Sequence, residues 1–189
     1  MNRFFNKYFR DYEKVASAFL NDNGNRKNLH KAIRLLKDAK KSRVCVYLIG
    51  NGGSSAIAEH MAIDLTKNAG LRAMAFSGSP LLTTLSNDYG YERVFQKAIE
   101  LLADKNSVLI AISSSGASKN ILNACRAARE KGMKIITFSG FDSGNTLRKE
   151  GDINFWVDSR AFGYVELLHN LLLHYINDAI IGSVEYMIR

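Results

Sequence analysis

His60 and Asp64 stand four residues apart, so on a helix they project from one face. Near the other end of the chain, "VELLHNLLLH" carries Glu166, His169 and His174. Glu166 and His169 are three residues apart and share a face. His174 lies about 80° round an ideal helix from Glu166, so it can converge with it on one site. Two imidazoles and two carboxylates (His60, His174, Asp64 and Glu166) suit a divalent metal such as zinc. They also suit an aldose–ketose interconversion. That reaction removes a proton beside a carbonyl and returns one to the neighbouring carbon through an enediol, work that a carboxylate and an imidazole can share. Each residue alone also has an ordinary structural use, and spacing does not show that the two helices meet.

Two stretches are suited to an anionic group: "GNGGSS" (Gly50 to Ser55) and "SSSGAS" (Ser113 to Ser118). Each ends an apolar run and precedes a helical stretch. Glycines let the backbone approach a ligand closely, and a helix N-terminus offers free N–H groups and partial positive charge. Ser113, Ser114, Ser115 and Ser118 add hydroxyl donors. Serines also cap helices and glycines also turn corners, but two such loops at equivalent strand ends point to a phosphate monoester. The lysine-serine/threonine ending of a Walker loop is missing, and so are the three spaced glycines of a dinucleotide fingerprint.

The elements that must position these groups follow from periodicity. From Asn2 to about Ala39 the chain reads as two helices, with Phe5, Tyr8, Phe9, Tyr12, Val15, Ala16, Phe19 and Leu20 recurring at three- and four-residue steps. "NDNGN" breaks the pattern before a second amphipathic helix carrying Leu29, Ile33 and Leu36. An aromatic stripe of this kind needs a cover, and dimerisation supplies one. "RVCVYLIG" is then a continuous apolar run, as a strand buried on both faces should be. Similar runs follow at Leu71–Phe76, Ser107–Ser113, Lys134–Gly140 and Ile153–Asp158, with helical stretches between them and a long helix from about Gly163. The expected class is α/β: a parallel sheet with helices on both faces. The expected division is residues 1–40 as an N-terminal helical oligomerisation segment and 41–189 as the α/β domain proper, within one structural domain.

Bulk properties agree with a globular chain. Of 189 residues, 47% are apolar and 23% charged, and no apolar run reaches the roughly 18 to 20 residues needed to span a bilayer. The N-terminus lacks the marks of a signal peptide, so the expected location is cytoplasmic. Cys45 and Cys125 have no metal-like spacing and read as buried free thiols. The net charge of +8 comes from basic residues spread along the chain, with no aromatic-interleaved basic motif for nucleic acid. Anionic small substrates fit it equally well.

"GNGGSSAIAEHMAIDLT", "LSNDYGYERVF", "VLIAISSSGASKNILNACRAAREKGMKIITFSG" and "ELLHNLLLH", in that order, resemble the sugar isomerase (SIS) domain, specifically the phosphoheptose isomerase group. The resemblance implies a flavodoxin-like three-layer sandwich and a homotetramer with active sites at subunit interfaces. It also implies zinc as the metal, and conversion of sedoheptulose 7-phosphate to D-glycero-D-manno-heptose 7-phosphate for lipopolysaccharide core or capsule. Position by position, it implies substrate contacts from Asn51, Gly52, Gly53, Asn87, Asp88, Ser113, Ser114, Ser115 and Ser118, with Asp64 and Glu166 also facing substrate. His60, Asp64, Glu166 and His174 match the metal-binding positions. Asp64 matches the proton-transferring carboxylate and His174 its acid/base partner.

Three departures stand out. The family usually has glutamate at position 64, glutamine at 166 and, near the substrate, arginine at 68, where this chain has Asp64, Glu166 and Asn68. Lys67 or Arg72 is a candidate to replace the missing cation, and Glu166 to share the carboxylate role. The altered carboxylates also leave open a non-catalytic SIS scaffold that binds the replication initiator protein, or a phosphosugar-binding protein.

Overall fold

β-Branched and apolar runs become parallel strands where both faces can be covered. The computed structural model describes residues 2–186. It forms one parallel sheet from β1 (Cys45–Ile49), β2 (Arg72–Ala75), β3 (Val108–Ser113), β4 (Lys134–Ser139) and β5 (Ile153–Trp156). Around it lie α1 (Asn2–Asn21), α2 (Asn23–Ser42), α3 (Gly53–Lys67), α4 (Ser79–Tyr89), α5 (Val94–Leu102), α6 (Lys119–Glu130), α7 (Leu147–Glu150) and α8 (Phe162–Ile181). The strand order β2-β1-β3-β4-β5 is the flavodoxin-like order expected. It reverses between β1 and β3, and ligands of open α/β sheets gather at such a switch point. Both glycine–serine loops leave the sheet there, one after β1 and the other after β3.

The two faces of the sheet carry separate cores. Val46 and Leu48 of β1 join Leu36, Met61, Leu65, Phe138, Leu168 and Leu172 beneath α2, α3 and α8. Cys45, Tyr47 and Ile49 point the other way, towards Phe95, Ile99, Ile121 and Cys125 on α5 and α6. Both cysteines are free and buried, and burial pushes the Cys125 thiol up to about 12, far from the thiolate needed for reactivity. Not every apolar run is buried on both faces. β2 is an edge strand; Arg72 and Met74 are exposed there.

α2 is a full part of the core. Asp22 caps it by accepting from the Asn25 N–H at 2.7 Å, Lys40 and Lys41 lie in its last turn, and Leu29, Ala32, Leu36 and Ala39 are buried. α1 is covered only in part. Phe19 is buried while Phe4, Phe5 and Phe9 are exposed. Tyr8 packs edge-on against Tyr164 of α8.

His169 belongs to the fold. It is fully buried, edge-on to Phe138, with Nε2 donating to the Ser139 carbonyl at 3.1 Å. Burial lowers its pKa from 6.5 to about 4, so the folded protein holds it neutral. The unfolded chain takes up that proton first as pH falls. The contribution is therefore complete above the unfolded value near 6.5 and is lost progressively down to about pH 4, amounting to about 3 kcal/mol. Urea unfolding at pH 7 and pH 4.5 should show the wild-type protein losing more stability than His169→Gln. Equal losses would show that this burial does not set the acid sensitivity.

Candidate active site

The loop after β1 is shaped by glycines for specific reasons. A Cβ on Gly50 would lie 2.4 Å from the backbone carbonyl of Ser54, so the loop can fold tightly onto the first turn of α3 only without a side chain. Gly52 has φ +52°, in the left-handed region. A Cβ on Gly53 would lie 2.7 Å from a carboxylate oxygen of Glu166; its absence lets α8 bring that carboxylate against the start of α3. Asn51 ties this loop to α6. Its amide and that of Asn120 exchange hydrogen bonds at 3.0 and 2.9 Å, and Tyr91 donates its hydroxyl to Asn51 Oδ1 at 2.7 Å.

The loop after β3 is pinned from below. Gly116 has φ +63° and lies directly on Asn145, which donates to the Ser139 hydroxyl and to the carbonyls of Gly140 and Asp142. Ser118 sits at the N-cap of α6 but makes no capping bond with its side chain. Its hydroxyl lies 3.2 Å from that of Ser113. Ser114 Oγ is buried and has no partner among the described residues, and an unsatisfied buried hydroxyl is costly unless a ligand completes it. Capping therefore does not explain these serines. Together with Asn51, Ser54, Ile112, Ser115, Phe162 and Glu166 they line a pocket of about 220 Å³.

Further along α3 and α8 a second group converges. Asp64 Oδ2 lies 3.4 Å from His60 Nε2 and 3.8 Å from His174 Nδ1. The two imidazole rings meet edge-on at 5.1 Å. One donor atom from each of the three residues lies within 4.8 Å of the others. Ligands about 2.0–2.1 Å from a tetrahedral zinc stand about 3.3 Å apart, and the Asp64–His60 and Asp64–His174 separations of 3.4 and 3.8 Å are near that spacing. Glu166, expected as a fourth ligand, is not in this group. It stands eight residues before His174, about 12 Å along the helix axis, and its carboxylate faces Gly53 and the serine pocket instead.

The SIS domain model matches residues 7–140, which spans α1 to β4 and both loops. The chain belongs to the SIS domain family. This SIS protein is 38% identical over 179 residues to the phosphoheptose isomerase of Proteus mirabilis, covering 90% of this chain and 92% of that one. It is 41% identical to the phosphoheptose isomerase of Histophilus somni, covering 85% and 88%. Its fold superposes on the phosphoheptose isomerase structure from Neisseria gonorrhoeae with a TM-score of 0.88 at 28% identity, over 95% and 98% of the two chains.

Within the SIS fold some expected residues lie elsewhere. Asn87 and Asp88 are exposed at the end of α4 and bonded to each other at 2.9 Å; they do not line the serine pocket of their own chain. Arg72 donates to the Arg43 carbonyl and so is engaged at the end of α2. Asn68 bonds to Asp64. Asn120, Tyr91 and Asn145 escaped the sequence reading although they hold the two loops in place. "SKN" and "SGN" carried no signal for this, because a buried asparagine is recognised only by the carbonyls and amides it meets. Among the described residues, no helix is long and apolar enough to cross a membrane.

Proposed function

We propose that this SIS protein is a phosphosugar aldose–ketose isomerase converting sedoheptulose 7-phosphate to D-glycero-D-manno-heptose 7-phosphate. The observation that supports it most is that α3 and α8 each serve both places. At their N-terminal ends Gly53 and Glu166 border the serine pocket, and two to three turns later Asp64 and His174 meet His60. A phosphate in the pocket and reacting carbons at the cluster require a long, several-carbon sugar between them.

In this reading Ser113, Ser114, Ser115 and Ser118 hold the phosphate with Asn51 and the backbone of Gly52 and Gly53. Glu166 faces sugar hydroxyls beside the start of α3. The Asp64 carboxylate takes the proton beside the carbonyl and His174 exchanges one at the neighbouring carbon. His60, Asp64 and His174 would hold zinc, while Glu166 stays with the serine pocket. A bound divalent cation would polarise the carbonyl and stabilise negative charge on oxygen.

The assembly we propose is a homo-oligomer, a tetramer with interfacial sites. Phe4, Phe5 and Phe9 on α1 and Leu167, Leu171 and Tyr175 on α8 leave apolar surface exposed, which supports a protein cover. Contacts across such an interface would also give Asn87 and Asp88 their expected role. A phosphorylated sugar does not cross a bilayer unaided, so the proposed location is the cytoplasm.

The test is incubation of zinc-loaded protein with sedoheptulose 7-phosphate, followed by NMR. The expected result is appearance of the aldose phosphate, abolished by chelation. Saturable binding without turnover would leave a phosphosugar-binding protein, and neither binding nor turnover would favour the scaffold.

A further inference from the structure

Asp64 uses its two carboxylate oxygens differently. Oδ2 faces both imidazoles, whereas Oδ1 accepts a hydrogen bond from Asn68 Nδ2 at 3.2 Å. A carboxylate only accepts, so the amide must turn its NH₂ group towards it. Asn68 is itself held at the end of α3, where its backbone N–H donates to the Asp64 carbonyl at 2.9 Å. Its Nδ2 also lies 3.4 Å from the Tyr186 hydroxyl. The amide group therefore reaches both the carboxylate and the segment after α8.

We propose that Asn68 is a positioning residue that orients the Asp64 carboxylate, keeping Oδ2 turned towards His60 and His174 and ready for a divalent cation. This rests on the reading of the His60–Asp64–His174 group as a metal site. The last torsion of an aspartate is broad and roughly two-fold, so an unsupported carboxylate samples orientations that present either oxygen to the histidines, or neither. One hydrogen bond to Oδ1 removes that freedom. The donor is neutral and adds no positive charge to oppose a cation, as a lysine or arginine in the same contact would. Hydrogen bonds from outside a ligand set orient the ligands in this way, and their loss typically costs 10–100-fold in metal affinity.

The experiment is a double-mutant cycle on zinc affinity. Asn68→Leu, close in shape but without a donor, is measured with Asp64 present and again in the Asp64→Ala background. Competition with a chromophoric chelator serves the tighter forms and calorimetry the weaker. With Asp64 present, the substitution should weaken zinc binding about 10-fold or more; in Asp64→Ala it should change affinity less than about twofold, because there is no carboxylate left to orient. Equal losses in both backgrounds would mean a general effect at the end of α3 and would overturn the proposal. A loss below twofold with Asp64 present would also overturn it. A wild-type protein that binds no zinc would overturn the metal reading itself, and this role with it.

Discussion

His174→Ala is expected to lower turnover of the zinc-loaded protein by about 10²–10⁴-fold while leaving the fold intact. The imidazole is partly exposed, with 34% of the side chain accessible. The residues that anchor α8, including Leu172, Leu173 and Ile176, are buried and unchanged. Removing the ring takes away the proton-exchanging partner of Asp64 and one of three donors gathered around a single point. Zinc affinity should therefore fall together with kcat. Binding of sedoheptulose 7-phosphate should persist, since the serine pocket does not include His174. The decisive comparison is turnover by NMR against phosphosugar binding by calorimetry, with a melting curve as the control for folding. Full activity in a well-folded His174→Ala protein would remove this cluster from the chemistry.

The second large effect is expected from Gly50→Ala. The new methyl group would stand 2.4 Å from the carbonyl carbon and oxygen of Ser54 and 2.8 Å from the N of Ser55. These are backbone atoms in the first turn of α3, so no side-chain rotation relieves the clash. The helix start must move, at a cost of about 1–3 kcal/mol. Movement there also disturbs the pocket, and a misplacement near 1 Å costs about 10²-fold in rate. Gly78→Ala is the control, because its added methyl meets nothing within 4 Å. Urea unfolding and kcat/KM should both fall in the first variant and hold in the second. Wild-type values for Gly50→Ala would mean that the loop is looser than its geometry requires.

The two predictions differ in how far the sequence alone supports them. The glycine–serine loops were legible because glycine and serine at a strand end carry local chemistry whatever surrounds them. His60 with Asp64 was legible because four residues on a helix define one face. That His174 joins them depends on α3 lying beside α8, and spacing within either helix says nothing about this. Glu166 shows the same limit from the other side. Its angle round α8 suggested convergence with His174, but the rise along the axis separates the two, and the missing Cβ of Gly53 gives its carboxylate a different neighbour.

By itself, the sequence determined the strand and helix runs, the parallel α/β class and the two anion-suited loops, because hydrophobic periodicity and glycine or serine chemistry act over a few residues. Only the tertiary structure decided that β2 lies at an edge, that both loops meet at the β1–β3 reversal, and that His169 is a core residue. It also decided that Asn68 supports Asp64. These depend on distances between elements far apart in the chain, which are set by how the two cores pack against the sheet rather than by any local pattern.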